Sequence, residues 1–170
     1  NFQGTLALLL ADKFSYTAND IAIILTIGGF IGVILQTFVI GKLFKRFGEM
    51  NVILVNLLLA AAMMVLTIYV SGFFLITVVA TVFSIATTFI RPAVNTLISK
   101  MAGMQQGYAS GMNNAFMSLG TMFGPALAGI LYDWNMNSPY IFGAIILVLC
   151  FFLAYAWQKK QPKDNSMNAS

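Results

Sequence analysis

Long uncharged apolar stretches alternate along this chain with short polar ones, and their lengths set the expected elements. Ile21 to Gly41, Asn51 to Val70, Gly107 to Tyr132 and Pro139 to Trp157 carry no charge at all. Phe73 to Ser99 is longer and is expected to be interrupted at Arg91-Pro92. About 20 apolar residues suffice for a helix to cross a bilayer core, so each stretch is expected to span. The two-residue alternation of a membrane β-barrel is absent, and so are the charged stripes of a soluble helical bundle. Phe2 to Ala11 is too short to span and reads as the outer end of a helix whose beginning is not included. Asp12 to Asp20 is a polar loop in which Asn19 or Asp20 can cap the next helix. Lys42 to Met50 reads as a basic loop turning at Gly48, Ser71-Gly72 as a tight reversal, and Lys100 to Gln106 and Asp133 to Ser138 as polar loops. The expected organisation is a membrane bundle over residues 1–157, with spans near 1–11 (partial), 21–41, 51–70, 73–99, 107–132 and 139–157. A polar tail follows over 158–170.

Composition agrees with an all-α membrane protein. Of 170 residues 59% are hydrophobic and 8% charged, against roughly 25% charged in soluble domains. There is no His, and the single Cys150 has no second thiol to pair with, so no metal or cofactor is expected. Paired carboxylates, a phosphate loop and a nucleophile beside a base are all missing, which leaves an enzyme unsupported. The net charge of +4 comes from loops and tail, so nucleic acid is not an expected partner.

Placement of the basic residues gives an orientation. Lys42, Lys45, Arg46, Lys100, Lys159, Lys160 and Lys163 fall on one side of the expected bundle, and only Lys13 on the other. The positive-inside bias then puts the C-terminus in the cytoplasm of a multi-pass protein of the cell membrane. Trp134 and Tyr140 at one boundary, and Tyr155 and Trp157 at the other, suit aromatic belts.

The stretch from Gly107 to Asp133 carries small residues at four-residue spacing: Gly107 and Gly111, then Gly120, Gly124 and Ala128. In lipid, small-xxx-small ridges let helices approach closely, and Pro125 removes a backbone donor. A kinked helix pressed tightly against a partner in the chain is expected.

Arg91 is the one charge inside an expected span, about 13 Å deeper than Lys100 on a continuous helix. Two readings stand: it faces a water-filled cavity, or it snorkels to the inner surface or binds helix-terminal carbonyls near the Pro92 break. The five acids, Asp12, Asp20, Glu49, Asp133 and Asp164, all fall in loops or tail. Any titrating carboxylate for proton coupling would therefore lie elsewhere. Gln3, Gln36, Asn56, Thr87, Thr88, Asn95, Asn113 and Asn114 can line a solute path or bond between helices. Phe30, Phe38, Phe73, Phe74, Phe83, Phe89, Phe116 and Phe123, with Met63, Met64, Met112, Met117 and Met122, can form an adaptable apolar wall.

These residues also carry a resemblance. Gly120, Gly124, Pro125 and Gly129, in GTMFGPALAGILYD, resemble the G-x-x-x-G-P-x-x-G-G antiporter motif of the major facilitator superfamily, with Ala128 for one glycine. Arg91-Pro92 followed by QQGYASGMNN resembles the tenth and eleventh helices of multidrug efflux pumps of the drug:proton antiporter branch. GKLFKRFGE resembles the superfamily's G-x-L-x-D-R-x-G-R/K loop through Gly41, Leu43, Arg46 and Gly48, with Lys45 where Asp is expected. The resemblance implies the C-terminal six-helix half of a twelve-helix transporter, its first helix truncated. It also implies Arg91 as a cavity or coupling residue and Gly124-Pro125 as a hinge. Related pumps can carry acids at the positions of Gln3 and Thr88, where this chain has none. The expected function is proton-coupled export of drugs or other amphipathic small molecules. Lipid, a small-molecule substrate, protons and an N-terminal half are the expected partners. An uptake permease for a polar solute and a non-transporting membrane fragment are the alternatives.

Overall fold

The computed structural model describes residues 17–70 and 72–160. In chain order it contains α1 (Ala18–Phe38), α2 (Ile40–Phe47), α3 (Glu49–Tyr69), α4 (Phe73–Ala102), a 3-10 turn (Gly103–Gln105), α5 (Gln106–Trp134) and α6 (Ser138–Lys160). There is no strand among the described residues. Gln3, the partial helix at 1–11, most of the 12–20 loop, Ser71 and the tail beyond 160 lie outside them.

The basic segment after α1 is helical where a loop is expected. Leu43 and Phe44 pack against the buried Val52, Ile53 and Leu57, while Lys42, Lys45 and Arg46 stay exposed. That split of apolar and charged residues follows a helical repeat. The axis turns by 54° between Thr26–Phe38 and Ile40–Phe47. Gly48 ends α2 at φ 77, a backbone region open to glycine, and its N–H donates to the Phe44 carbonyl at 2.9 Å. Similarly, α1 begins at Ala18, so Asn19 and Asp20 lie inside its first turn and do not precede it.

Helix α4 runs through Pro92 without interruption. Proline deletes only its own donor, which frees the carbonyl four residues back, at Thr88. The next residue, Ala93, is fully buried and packs on Val52, Ile53 and Leu57, which holds the helix in place. Helical structure continues past Lys100 to Ala102.

Among the described residues, three stretches are long and apolar enough to cross a membrane: Glu49–Tyr69, Phe73–Trp134 and Ser138–Lys160, with the bent pair Thr26–Phe38 and Ile40–Phe47 as a fourth. The second stretch, 62 residues long, folds back at the 3-10 turn, because Asn113 Nδ2 donates to Asn95 Oδ1 at 2.9 Å. It is thus a hairpin of two helices of 30 and 29 residues. At 1.5 Å per residue each reaches over 40 Å, more than a bilayer core needs. The chain is a multi-pass, all-α membrane protein.

Helix α3 sits between α4 and α6, and α1 lies against α4. The core has two clusters: Val52, Ile53, Leu57 and Ala93 toward the α2 end, and Ala60, Phe83 and Ala86 deeper in. Close backbone approach through small residues occurs between α1 and α4. A Cβ placed on Gly28 would lie 3.4 Å from Ser84 Oγ, and one on Gly32 would lie 3.5 Å from Thr88 Oγ1.

The expectation of a tight small-residue contact at α5 is not met within the described residues. No residue of α5 is buried, and a Cβ on Gly107, Gly111, Gly120 or Gly129 would meet nothing within 4 Å. Those four positions are exposed, whereas Gly124 and Ala128 are half-buried and Pro125 is exposed. Tyr140 is also not a belt residue: it is fully buried, while Trp134 is exposed.

Candidate functional site

Helix α4 carries Ser84, Thr88, Arg91, Asn95 and Ser99 at spacings of four, three, four and four, so they share one face. Clefts open on both sides of that stripe. The larger, of about 790 Å³, lies among α1, α3, α4 and α6. Its polar wall is Gln36, Ser84, Thr87, Thr88 and Arg91, and its apolar wall includes Met64, Phe83, Ile146 and Leu147. Gly29 and Gly143 also line it. The Met64 tip lies 2.5 Å from where a Cβ on Gly143 would stand, so the glycine leaves Met64 its place in the wall.

The second cleft, of about 240 Å³, lies between α4 and α5 and is lined by Arg91, Asn95, Asn113, Met117, Gly120 and Thr121 among others. A third, of about 280 Å³, continues along the hairpin past Asn95, Ser99, Ser110, Asn113 and Asn114. Arg91 is common to the first two clefts, and the Asn95–Asn113 pair to the last two. Gln36, Thr88 and Arg91 are therefore brought together, as are Asn113 and Asn114. Gly120 reaches the second cleft, but Gly124, Pro125 and Gly129 do not line these clefts. Gly41, Arg46 and Gly48 belong to α2 and its end, with the Arg46 guanidinium 5.5 Å from the Phe47 ring centroid.

Arg91 is exposed to the clefts and has no ion-pair or hydrogen-bond partner among the described residues. Of the alternative readings, carbonyl binding near Pro92 finds no bond from Arg91 to the described backbone. The other polar residues divide. Asn56 is buried and donates to the Val52 carbonyl at 2.8 Å, a satisfied core group. Thr87 Oγ1 donates back to the Phe83 carbonyl at 3.0 Å while lining the larger cleft. Of the expected aromatic and methionine wall, only Phe83 and Met64 reach the larger cleft and Met117 the smaller. Phe89 is buried, and Phe30, Phe38, Phe73, Phe74, Phe116, Phe123, Met112 and Met122 are exposed on the outside of the described bundle. Which aromatic or methionine faces the clefts is a distinction that residue type does not reveal.

Sequence reasoning missed Ser84, Ser99, Ser110, Thr121 and Gly143. For the first two the signal was present, in the unbroken polar stripe along an otherwise apolar α4. Thr121 had a subtler one: it stands four residues before Pro125, as Thr88 stands four before Pro92.

A multi-pass helical bundle with solute-sized clefts lined by one cation, amides and hydroxyls has the architecture of a membrane carrier protein. Comparison with known proteins gives the family: the model of the Major Facilitator Superfamily matches residues 1–170, and the chain belongs to that superfamily. It is similar to multidrug resistance protein 2 of Bacillus subtilis (strain 168), at 34% identity over 167 residues, 98% of this chain and 42% of that protein. Multidrug resistance protein 1 of the same organism is 36% identical over 158 residues, 93% of this chain and 41% of that protein. Quinolone resistance protein NorA of Staphylococcus aureus (strain Mu50 / ATCC 700699) is 35% identical over 138 residues, 81% of this chain and 36% of that protein. The chain spans about two-fifths of the length of the curated relatives it matches.

Proposed function

We propose that this chain is the C-terminal half of a secondary transporter of the cell membrane that exports amphipathic small molecules in exchange for protons. One observation carries the reading. The cleft of about 790 Å³ combines an apolar wall, Met64, Phe83, Ile146 and Leu147, with a hydrogen-bonding wall, Gln36, Thr88 and Arg91. Such a site takes molecules with an apolar body and a polar end. The names of the similar proteins, multidrug and quinolone resistance proteins, support the same class of cargo.

In this reading the solute binds near the midplane between this half and an N-terminal one, and access alternates by rocking of the halves. Gly124-Pro125 in α5 serves as the pivot, since a glycine before a missing donor makes a soft point in a helix. No acid of the described residues lines these clefts, which supports a titrating carboxylate in the N-terminal half. Lys42, Lys45, Arg46, Lys100, Lys159 and Lys160 sit at the ends of helices that share one side, which favours a cytoplasmic C-terminus.

The test is efflux of ethidium and of a fluorescent quinolone from cells producing the complete transporter, each with and without an uncoupler. Efflux above the empty-vector level that collapses with the proton gradient is expected. Efflux that persists after uncoupling removes antiport, and none above background removes the exporter reading.

A further inference from the structure

We infer that the cleft of this half is built to take the carboxylate end of an amphipathic anion, and not a lipophilic cation. This rests on the transporter reading above and names the class of solute that its site prefers.

The charge inventory of the clefts points this way. Among the described residues, Arg91 is the only ionised side chain lining them. It reaches two clefts at once and has no carboxylate partner among the described residues. Glu49 is committed to Lys100, and Asp133 lies at the far end of α5. Asp12 and Asp164 fall outside the described residues. A guanidinium flanked by apolar side chains repels cations, and its planar fork matches a carboxylate with two parallel hydrogen bonds.

The neighbours complete such a site. Thr88 is one turn back on the same face of α4, and Gln36 comes from α1. Asn95 and Asn113 flank Arg91 on the α5 side. All are uncharged donors, able to bond the remaining lone pairs of a carboxylate without competing for Arg91. Met64, Phe83, Ile146 and Leu147 then receive the apolar body.

The test uses the full-length transporter purified in detergent and three fluorescent probes: 9-anthracenecarboxylate, its primary amide, and ethidium. Binding is read by polarisation. The carboxylate is expected to bind about tenfold tighter than the amide, a step of about 1.4 kcal/mol. Arg91→Gln should abolish that preference by weakening carboxylate binding far more than amide binding, and Arg91→Lys should recover part of it. Thr88→Asp supplies a second arm that keeps Arg91. A carboxylate one turn away neutralises the guanidinium, so anthracenecarboxylate binding should fall and ethidium binding rise. Equal affinity for carboxylate and amide in the natural protein, or an equal loss of both in Arg91→Gln, overturns the inference, as does binding of neither. Efflux of ethidium and of the quinolone in cells is scored separately. A carboxylate preference without efflux leaves this site assignment standing and removes only the exporter reading, and efflux without the preference does the reverse.

Discussion

Lys100 Nζ lies 2.5 Å from Glu49 Oε1, joining the last turn of α4 to the first turn of α3. At the same end of the bundle Gln158 Nε2 donates to Asn51 Oδ1 at 2.6 Å, which brings in the end of α6. Three helix ends are thus tied together by side chains 51 and 107 residues apart. Glu49 also stands where the superfamily's loop pattern has Arg or Lys, so this contact is made with an acid at that place.

The Lys100 side chain is 54% exposed, so the pair is screened by solvent and contributes about 0.2–1 kcal/mol. Lys100→Ala should lower the melting temperature of the detergent-solubilised protein slightly, and the difference should shrink in high salt. The exchange Glu49→Lys with Lys100→Glu should restore most of the loss. Equal effects of single and double changes would show that the two residues are not coupled.

Glycines of α1 act unequally although they are near neighbours in sequence. Gly28 and Gly32 face Ser84 and Thr88, while Gly29 meets nothing within 4 Å. Gly28→Leu and Gly32→Leu should each force α1 from α4 and cost about 1–3 kcal/mol. Gly29→Ala should be within about 0.5 kcal/mol of the parent. Thermal unfolding followed by size-exclusion fluorescence measures all three, and an unfolding shift for Gly29→Ala as large as that for Gly32→Leu would contradict this packing.

Across the α4–α5 hairpin, Asn95 and Asn113 should show coupling in a double-mutant cycle. Interhelical hydrogen bonds in membranes average about 0.6 kcal/mol, so Asn95→Ala and Asn113→Ala together should cost less than their sum by about that amount. Additive losses would mean that the 2.9 Å contact contributes nothing to stability.

Opposite ends of α5 should label from opposite sides of the membrane. With Cys150 replaced by Ser, a cysteine at Met104 in the exposed 3-10 turn and one at Asn135 after α5 are the probes. Membrane-impermeant maleimide should reach only Asn135→Cys in intact cells, and Met104→Cys only after permeabilisation. Labelling of both from one side would undo the hairpin's crossing of the bilayer.

Much of this was legible in the sequence because charge-free length decides what crosses lipid. The four-residue glycine rhythm of α5 correctly marked a helix, yet not its contact, since spacing gives a face without saying what stands opposite. Small-residue packing appears instead at Gly28 and Gly32, where the matching partners, Ser84 and Thr88, are more than fifty residues away. The α2 segment was misread because three cations in eight residues look like a loop, although Leu43 and Phe44 supply the apolar side of a helix turn. Arg91 stood out by charge alone. That it joins two clefts depended on how α4 is rotated, which no local pattern fixes.

Both prolines of the hairpin stand four residues after a cleft-lining threonine, Thr88 before Pro92 and Thr121 before Pro125. Counted from the ends of their helices at Ala102 and Gln106, the two threonines lie at nearly one depth, each about 21–23 Å from the turn at 1.5 Å per residue. Two backbone oxygens released from helical pairing at a common level must find partners other than their own helix. The two points at which the hairpin is weakest therefore fall at a single height, one on each arm.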